Sequence, residues 1–158
     1  MIQSIEILLA EFDQRGSFDE DSLQIHLGKA LVGQRLKFVN TAYNVLLSSD
    51  IGLIQDKNIR YLIAQYYEKE IPKIERDAMD TYDEWYDAIL PIIREESDYW
   101  EWGVVLIPNS TNSIFNNQDL HKVLKTNIYN HIAVLASANE VLQVNEILLE
   151  KIEPLILK

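Results

Sequence analysis

Three histidines and a strip of carboxylates are the groups in this chain best equipped for chemistry. His26, His121 and His131 lie apart in the sequence, and none belongs to an HExxH or similar metal-binding pattern. His121 and His131 are separated by nearly three helical turns, about 15 Å, so one straight helix does not bring both to one metal. His131 falls on an apolar seam, where a histidine either bonds a buried partner or responds to pH by charging. A structural polar residue, like Asn145 on the same seam, is the plainer reading. Asp77, Asp80, Glu84 and Asp87 step by three, four and three, which aligns four carboxylates along one helical strip. Calcium takes roughly six to eight oxygen ligands in a compact cage, whereas this strip spreads over about 15 Å. It reads as a solvated acidic face, and no metal site is expected.

No nucleophile or cofactor motif accompanies these groups. The chain has no Cys, which removes thiolate nucleophiles, disulfides and Cys-ligated zinc. GxSxG, P-loop and GxGxxG patterns are missing, and the serines lack a nucleophile elbow or a partnered histidine. With 25 Asp and Glu, carboxylate pairs arise by chance, and none has a distinguishing context. No catalytic residue and no cofactor is expected, and the chain reads as non-enzymatic. A formal net charge of −11 argues against a nucleic-acid backbone or an anionic lipid surface as partner, since both are recognised by clustered Lys and Arg.

The elements that would position any site are helices. Five Gly and four Pro in 158 residues are too few for the many turns of a sandwich or barrel. Met1, Ile5, Leu8 and Phe12 form one face of a helix ending near Gly16. Leu23 to Val32 is a less regular apolar segment, broken by Gly28 and Gly33. Asn40 and Thr41 are candidate N-caps of a helix through Leu47, and Asp56 of one bearing Ile59, Leu62, Ile63 and Tyr66. Pro72 kinks that helix or opens a new one, whose stripe runs through Ile74, Ala78, Tyr82, Trp85, Ile89 and Ile92. From Tyr99 to Asn117 the period fails, which predicts a loop with a short extended piece at Val104–Ile107.

The C-terminal segment has the clearest periodicity. Leu124, Ile128, His131, Leu135, Ala138, Leu142, Asn145, Leu149, Ile152 and Ile156 alternate steps of four and three, the seam of one long packed helix. No apolar run approaches the roughly 18 residues that span a bilayer, and the acidic start has neither a basic n-region nor a cleavage site. Tyr99, Trp100 and Trp102 sit at a helix end beside the longest loop, either capping the core or forming a docking patch.

The stretch from Asn40 to Tyr67 carries a resemblance. Asn40, Ala42, Tyr43, Leu46, Ser48 or Ser49, Ile54, Asp56, Arg60, Ile63, Tyr66 and Tyr67 match the recurring pattern of a family of uncharacterised bacterial proteins common in Bacteroidetes. Asp50 stands where that family often has a turn Gly, with Gly52 as the nearest substitute, and Ile59 replaces the Leu before Arg60. Members carry a short basic N-terminus, one membrane helix and a helical soluble region, which this chain resembles along most of its length. The resemblance implies a membrane anchor absent from this chain and a location at the bacterial cytoplasmic membrane, facing the periplasm or exterior. A cytoplasmic location is the alternative. It supplies no catalytic residues; Tyr43, Leu46 and Tyr66 would pack two helices at a bend, with Arg60 bonding carbonyls or a carboxylate near the turn.

The fold expected is all-α: a single domain over 1–158, an antiparallel helical bundle of four to six helices with a long C-terminal helix. The function expected is a non-catalytic interaction module, meeting a protein partner or itself, within a membrane-anchored bacterial protein. Its rival is a soluble cytoplasmic interaction or regulatory protein. A small-ligand binder or enzyme is a third reading, and needs a polar cavity near His131, Arg60 or the Tyr66–Tyr67 pair.

Overall fold

A computed structural model describes residues 1–156, mostly helix, in the order α1 (Ile2–Asp13), α2 (Glu20–Ala30), α3 (Thr41–Ser49), α4 (Lys57–Ala64), α5 (Ile71–Glu84), α6 (Leu90–Glu96), β1 (Ser97–Glu101), β2 (Val105–Pro108), α7 (Thr111–Asn116) and α8 (Gln118–Ile156). The long C-terminal helix is present, but the architecture is neither purely α nor a clean bundle. The extended piece expected at Val104–Ile107 is present as β2, but the rest of the expected loop also has structure, β1 pairing with it in an antiparallel hairpin and Thr111–Asn116 forming the short helix α7. Two compact units divide the chain, one from Met1–Arg35 with Ala78–Ala133, the other from Leu36–Asp77 with the chain from Val134 onward.

Between Lys57 and Glu96 the helical hydrogen bonding is widened twice, into π turns at Gln65–Glu70 and Trp85–Ile89. The N–H of Ile71 reaches back to the Tyr66 carbonyl and that of Leu90 to the Trp85 carbonyl, each five residues away. Pro72 and Pro91 each stand two residues beyond such a turn. A proline has no N–H, and its ring collides with the carbonyl four residues earlier. Widening the turn moves that carbonyl aside, so both prolines are absorbed with neither helix end nor sharp break. The same geometry explains two runs of consecutive four-residue steps, Ile59–Ile63–Tyr67–Ile71 and Thr81–Trp85–Ile89–Ile93, which would drift about 120° around an ordinary α-helix.

In the first unit the core gathers Ile5 and Leu8 of α1, Leu23 and Leu27 of α2, Trp85, Ile89 and Ile93, Leu106 of β2, Ile114 and Phe115 of α7, and Leu120 and Leu124 of α8. Gly28 is not an interruption but a requirement: a Cβ there would lie 2.3 Å from the Val105 backbone nitrogen, so α2 meets β2 without a side chain between them. Gly33 plays the same part for the indole of Trp85. Asp19 caps α2 by accepting the Ser22 N–H, and the buried Glu11 carboxylate accepts the N–H groups of Gly16 and Ser17 after α1.

The second unit has two smaller apolar clusters. One is Tyr43, Ile59, Ile63 and Leu148; the other is Ile71, Ile74 and Val141, flanked by Leu36, Phe38, Tyr66 and Ala138. Asp56 caps α4 as expected, accepting from Asn58 and Ile59. Asn40 occupies the N-cap position of α3 but makes no capping bond, and its side-chain oxygen is buried without a partner. Asp50, not Gly52, takes the left-handed backbone conformation at φ 87°, and its carboxylate accepts the Gly52 N–H at 2.7 Å.

Of the expected seam of α8, Leu124 is buried and Ile128, Ala138 and Ile152 pack against the cores, but its three later leucines face away, burial there falling one position earlier. Leu135, Leu142 and Leu149 are 53, 56 and 48% exposed, while their neighbours Val141, Val144 and Leu148 are buried. Ile156, the last expected member, has a side chain outside the described set. Among the described residues α8 is also one helix long and apolar enough to cross a membrane by length and composition, although no unbroken apolar run signals it.

Candidate functional site

The family-pattern residues assemble in the second unit. Tyr43 of α3 and Tyr67 stack face to face, centroids 4.5 Å apart, and Tyr66 meets Tyr67 edge-on at 4.9 Å. The Tyr43 hydroxyl donates to the Glu68 carboxylate. Asp56 and Arg60 do not join this cluster. They fix the loop before it, Asp56 as cap and Arg60 by donating to the Ile54 carbonyl at 2.7 Å. Leu46 lines a cleft of about 200 Å³ with Ala42, Tyr43, Ile63, Tyr67, Leu148 and Ile152. That is smaller than the roughly 300 Å³ at which small-molecule sites begin, and its walls are apolar apart from the two phenols. The geometry is that of packing. Ile152, expected on the α8 seam, completes it together with Glu68 and Leu148, which nothing in the Asn40–Tyr67 stretch marks as partners of Tyr43.

Burial, followed by the Glu68 carboxylate, pushes the Tyr43 phenol up to about 12. A proton held more tightly in the folded than the unfolded chain makes stability whole below about 10 and loses it as pH rises through about 12. The Tyr66 phenol is raised too, by burial and then by Tyr67, so an ultraviolet titration of the folded protein should show late-ionising tyrosines of which Tyr43→Phe removes one; an unchanged curve in that variant would refute the assignment.

The acidic strip is divided. Asp80 and Asp87 are exposed, as a solvated face requires, but Asp77 and Glu84 lie on packed faces. Asp77 accepts from the Ser137 hydroxyl, and Glu84 from the Asn130 amide at 2.8 Å. No metal-binding cluster occurs among the described residues. His26 meets the Ser4 hydroxyl at 3.2 Å, and His121 lies flat on Phe12 at 4.7 Å with Asp13 3.7 Å from its Nε2. His131 is half-buried, one turn from the wholly buried Asn127, and its Nε2 has no hydrogen-bond partner.

Burial pushes His131 down to about 4. The unfolded chain, with an ordinary value of 6.5, then takes the proton first, so stability is whole above 6.5 and lost as pH falls through about 4. His26, lowered by burial and then by Lys29, acts in the same direction. The thermal midpoint of the native protein should drop over this interval, and His131→Gln should flatten the drop. Equal slopes in both proteins would count against it.

In the first unit the hairpin gathers aromatic rings. Trp100 pairs with Leu106 and turns inward, whereas Tyr99 and its partner Ile107 face outward, 52 and 38% exposed. Trp102 and Val104 flank Gly103 at the tip, each 49% exposed, with Gly103 at φ 70°. Trp102 rests against Trp85 at 5.2 Å and Trp100 at 5.4 Å, and Trp85 is anchored by donating its Nε1–H to the Leu31 carbonyl. Tyr82 and the exposed Tyr86 extend the row, and the Arg35 guanidinium sits 4.0 Å over the Tyr82 ring. Exposed carboxylates of Asp83, Asp87, Asp98 and Glu101 neighbour these rings in the chain. Tyr82, Trp85 and Tyr86 were not legible as parts of a patch, because strand and helix approach only in the fold.

No family model, curated protein or solved structure matches this chain.

Proposed function

We propose that the protein is a non-catalytic helical interaction module whose hairpin face docks a cationic segment of a protein partner. One observation carries this reading. Tyr99, Trp102 and Tyr86 are half exposed yet held by a buried aromatic frame. Rigid Trp and Tyr side chains give large contact area at little cost in side-chain entropy, and an apolar patch of this kind seldom stays uncovered. The acidic neighbours select the sign of the partner, and Arg35 on Tyr82 is an internal example of a guanidinium received on this aromatic row. The resemblance to membrane-anchored bacterial proteins supports placing the module outside the cytoplasmic membrane, on an anchor that precedes it; a soluble cytoplasmic module is the alternative.

The test is cross-linking in the native host with a photoreactive group at Ile107, read by mass spectrometry. Adducts formed by the native face and lost in Trp102→Ser and Tyr99→Ser, but retained in Leu53→Ser, would support docking there. Adducts indifferent to both aromatic substitutions would overturn it. The gene upstream of Met1 decides location: an in-frame apolar segment preceded by Lys and Arg supports the anchored reading.

A further inference from the structure

In the second unit α8 leaves a stripe uncovered that is its own complement. Leu135, Leu142 and Leu149 stand seven residues apart, on one side of the helix, and each is about half exposed. Only 22% of the most apolar stretch of α8 is buried, although its opposite side is tied down by Lys73 to Glu140 and Asp77 to Ser137. The spacing is symmetric about Leu142. Reversing the helix around that residue sets Leu135 against Leu149, Leu142 against itself and Asn139 against Asn145. A two-fold interface requires this kind of self-complementarity, in which one patch serves on both sides.

We infer that a second copy of this chain covers the stripe, with the two α8 helices antiparallel and the two-fold axis at Leu142. Charge selects the antiparallel direction. Glu146 and Glu150 are exposed beside the stripe. In a parallel pair each would face its own copy, and like charges in such positions repel. Reversal places Glu146 opposite Ala138 and Glu150 opposite Val134, neither of them charged. The Asn139 and Asn145 amides come side by side, each able to donate and accept, and a polar pair of this sort fixes register. A bilayer is a poorer cover, since Asn139, Asn145 and Glu146 interrupt the stripe. The contact spans about 21 Å of helix, fourteen residues at 1.5 Å, so the dimer is reversible. A net charge of −11 on each copy opposes it, and salt should strengthen it by screening.

The absence of cysteine makes the test clean. Sedimentation of the full chain should show a concentration-dependent monomer–dimer equilibrium that tightens with salt. Leu142→Glu should shift it to monomer with an unchanged circular-dichroism melt of the monomer. A short thiol cross-linker should join Leu142→Cys to itself and Leu135→Cys to Leu149→Cys, and leave Leu135→Cys alone unlinked. A chain that stays monomeric at every concentration overturns the proposal, as does a dimer indifferent to Leu142→Glu. Linking of Leu135→Cys and Leu149→Cys each to itself overturns the antiparallel arrangement.

Discussion

Trp85→Ala should lower the unfolding free energy by about 3–5 kcal/mol, the range for emptying a buried aromatic site. Three separate losses combine there. The indole is 6% exposed within the core of the first unit, so its removal opens a cavity beside Ile89 and Leu31. Its Nε1–H satisfies the Leu31 carbonyl, which would be left buried without that donor. Gly33 lets the ring approach and has no side chain of its own to refill the space. Trp85→Phe separates these effects, restoring much of the volume but not the hydrogen bond. Denaturant melts with an unchanged slope would measure both variants. A loss for Trp85→Ala below about 1 kcal/mol would show that the site collapses or that the ring is not buried. The outward rings rest on this indole, so Trp85→Ala should also increase acrylamide quenching of Trp102.

Leu148→Ala should cost about 2–5 kcal/mol, and Leu142→Ala less than about 1 kcal/mol in the monomer. Both residues lie on α8, both are leucine, and the regular four–three spacing favours Leu142. Exposure reverses the ranking: Leu148 is 8% exposed against Tyr43, Ile59 and Ile63, whereas Leu142 is 56% exposed. Melts at dilute protein, where self-association does not contribute, provide the comparison. Equal losses would mean that the helix is rotated from the position described.

The legible parts of this fold are those where one physical requirement has one solution. Asp56 caps α4 because an Asp before an apolar-periodic run has little else to do. Ile5 and Leu8 are buried as their helical spacing requires, although Met1, expected on the same face, is 43% exposed. The phase of α8 was not legible for the opposite reason. It carries apolar residues on adjacent sides, Val141, Val144 and Leu148 on one and Leu135, Leu142 and Leu149 on the other, and periodicity cannot choose between them. Of the hairpin, β2 was legible as an extended piece, but β1 was hidden because Glu96 and Ser97 join helix to strand without Gly or Pro, leaving only Gly103 as a turn signal between them. Tyr99, Trp100 and Trp102 could be singled out by residue type, but not the buried Trp85 that holds them, nor which of the three turns inward. Trp85 is contributed from a different helical stretch, and Trp100, a neighbour in sequence, points the other way across the strand.

The two π turns bear on how such a chain can change over generations. A widened turn holds one residue more than the regular α-helical turn it replaces. Losing a single residue at the exposed Glu68 would heal the local hydrogen-bond pattern. It would also rotate everything beyond by about 100°. Ile71 and Ile74 would swing away from Val141, and Pro72 would meet an unwidened turn. This segment should therefore be closed to length change, so that natural variants keep the count between Asp56 and Pro72 and the core residues Ile59, Ile63 and Ile71 within or beside it.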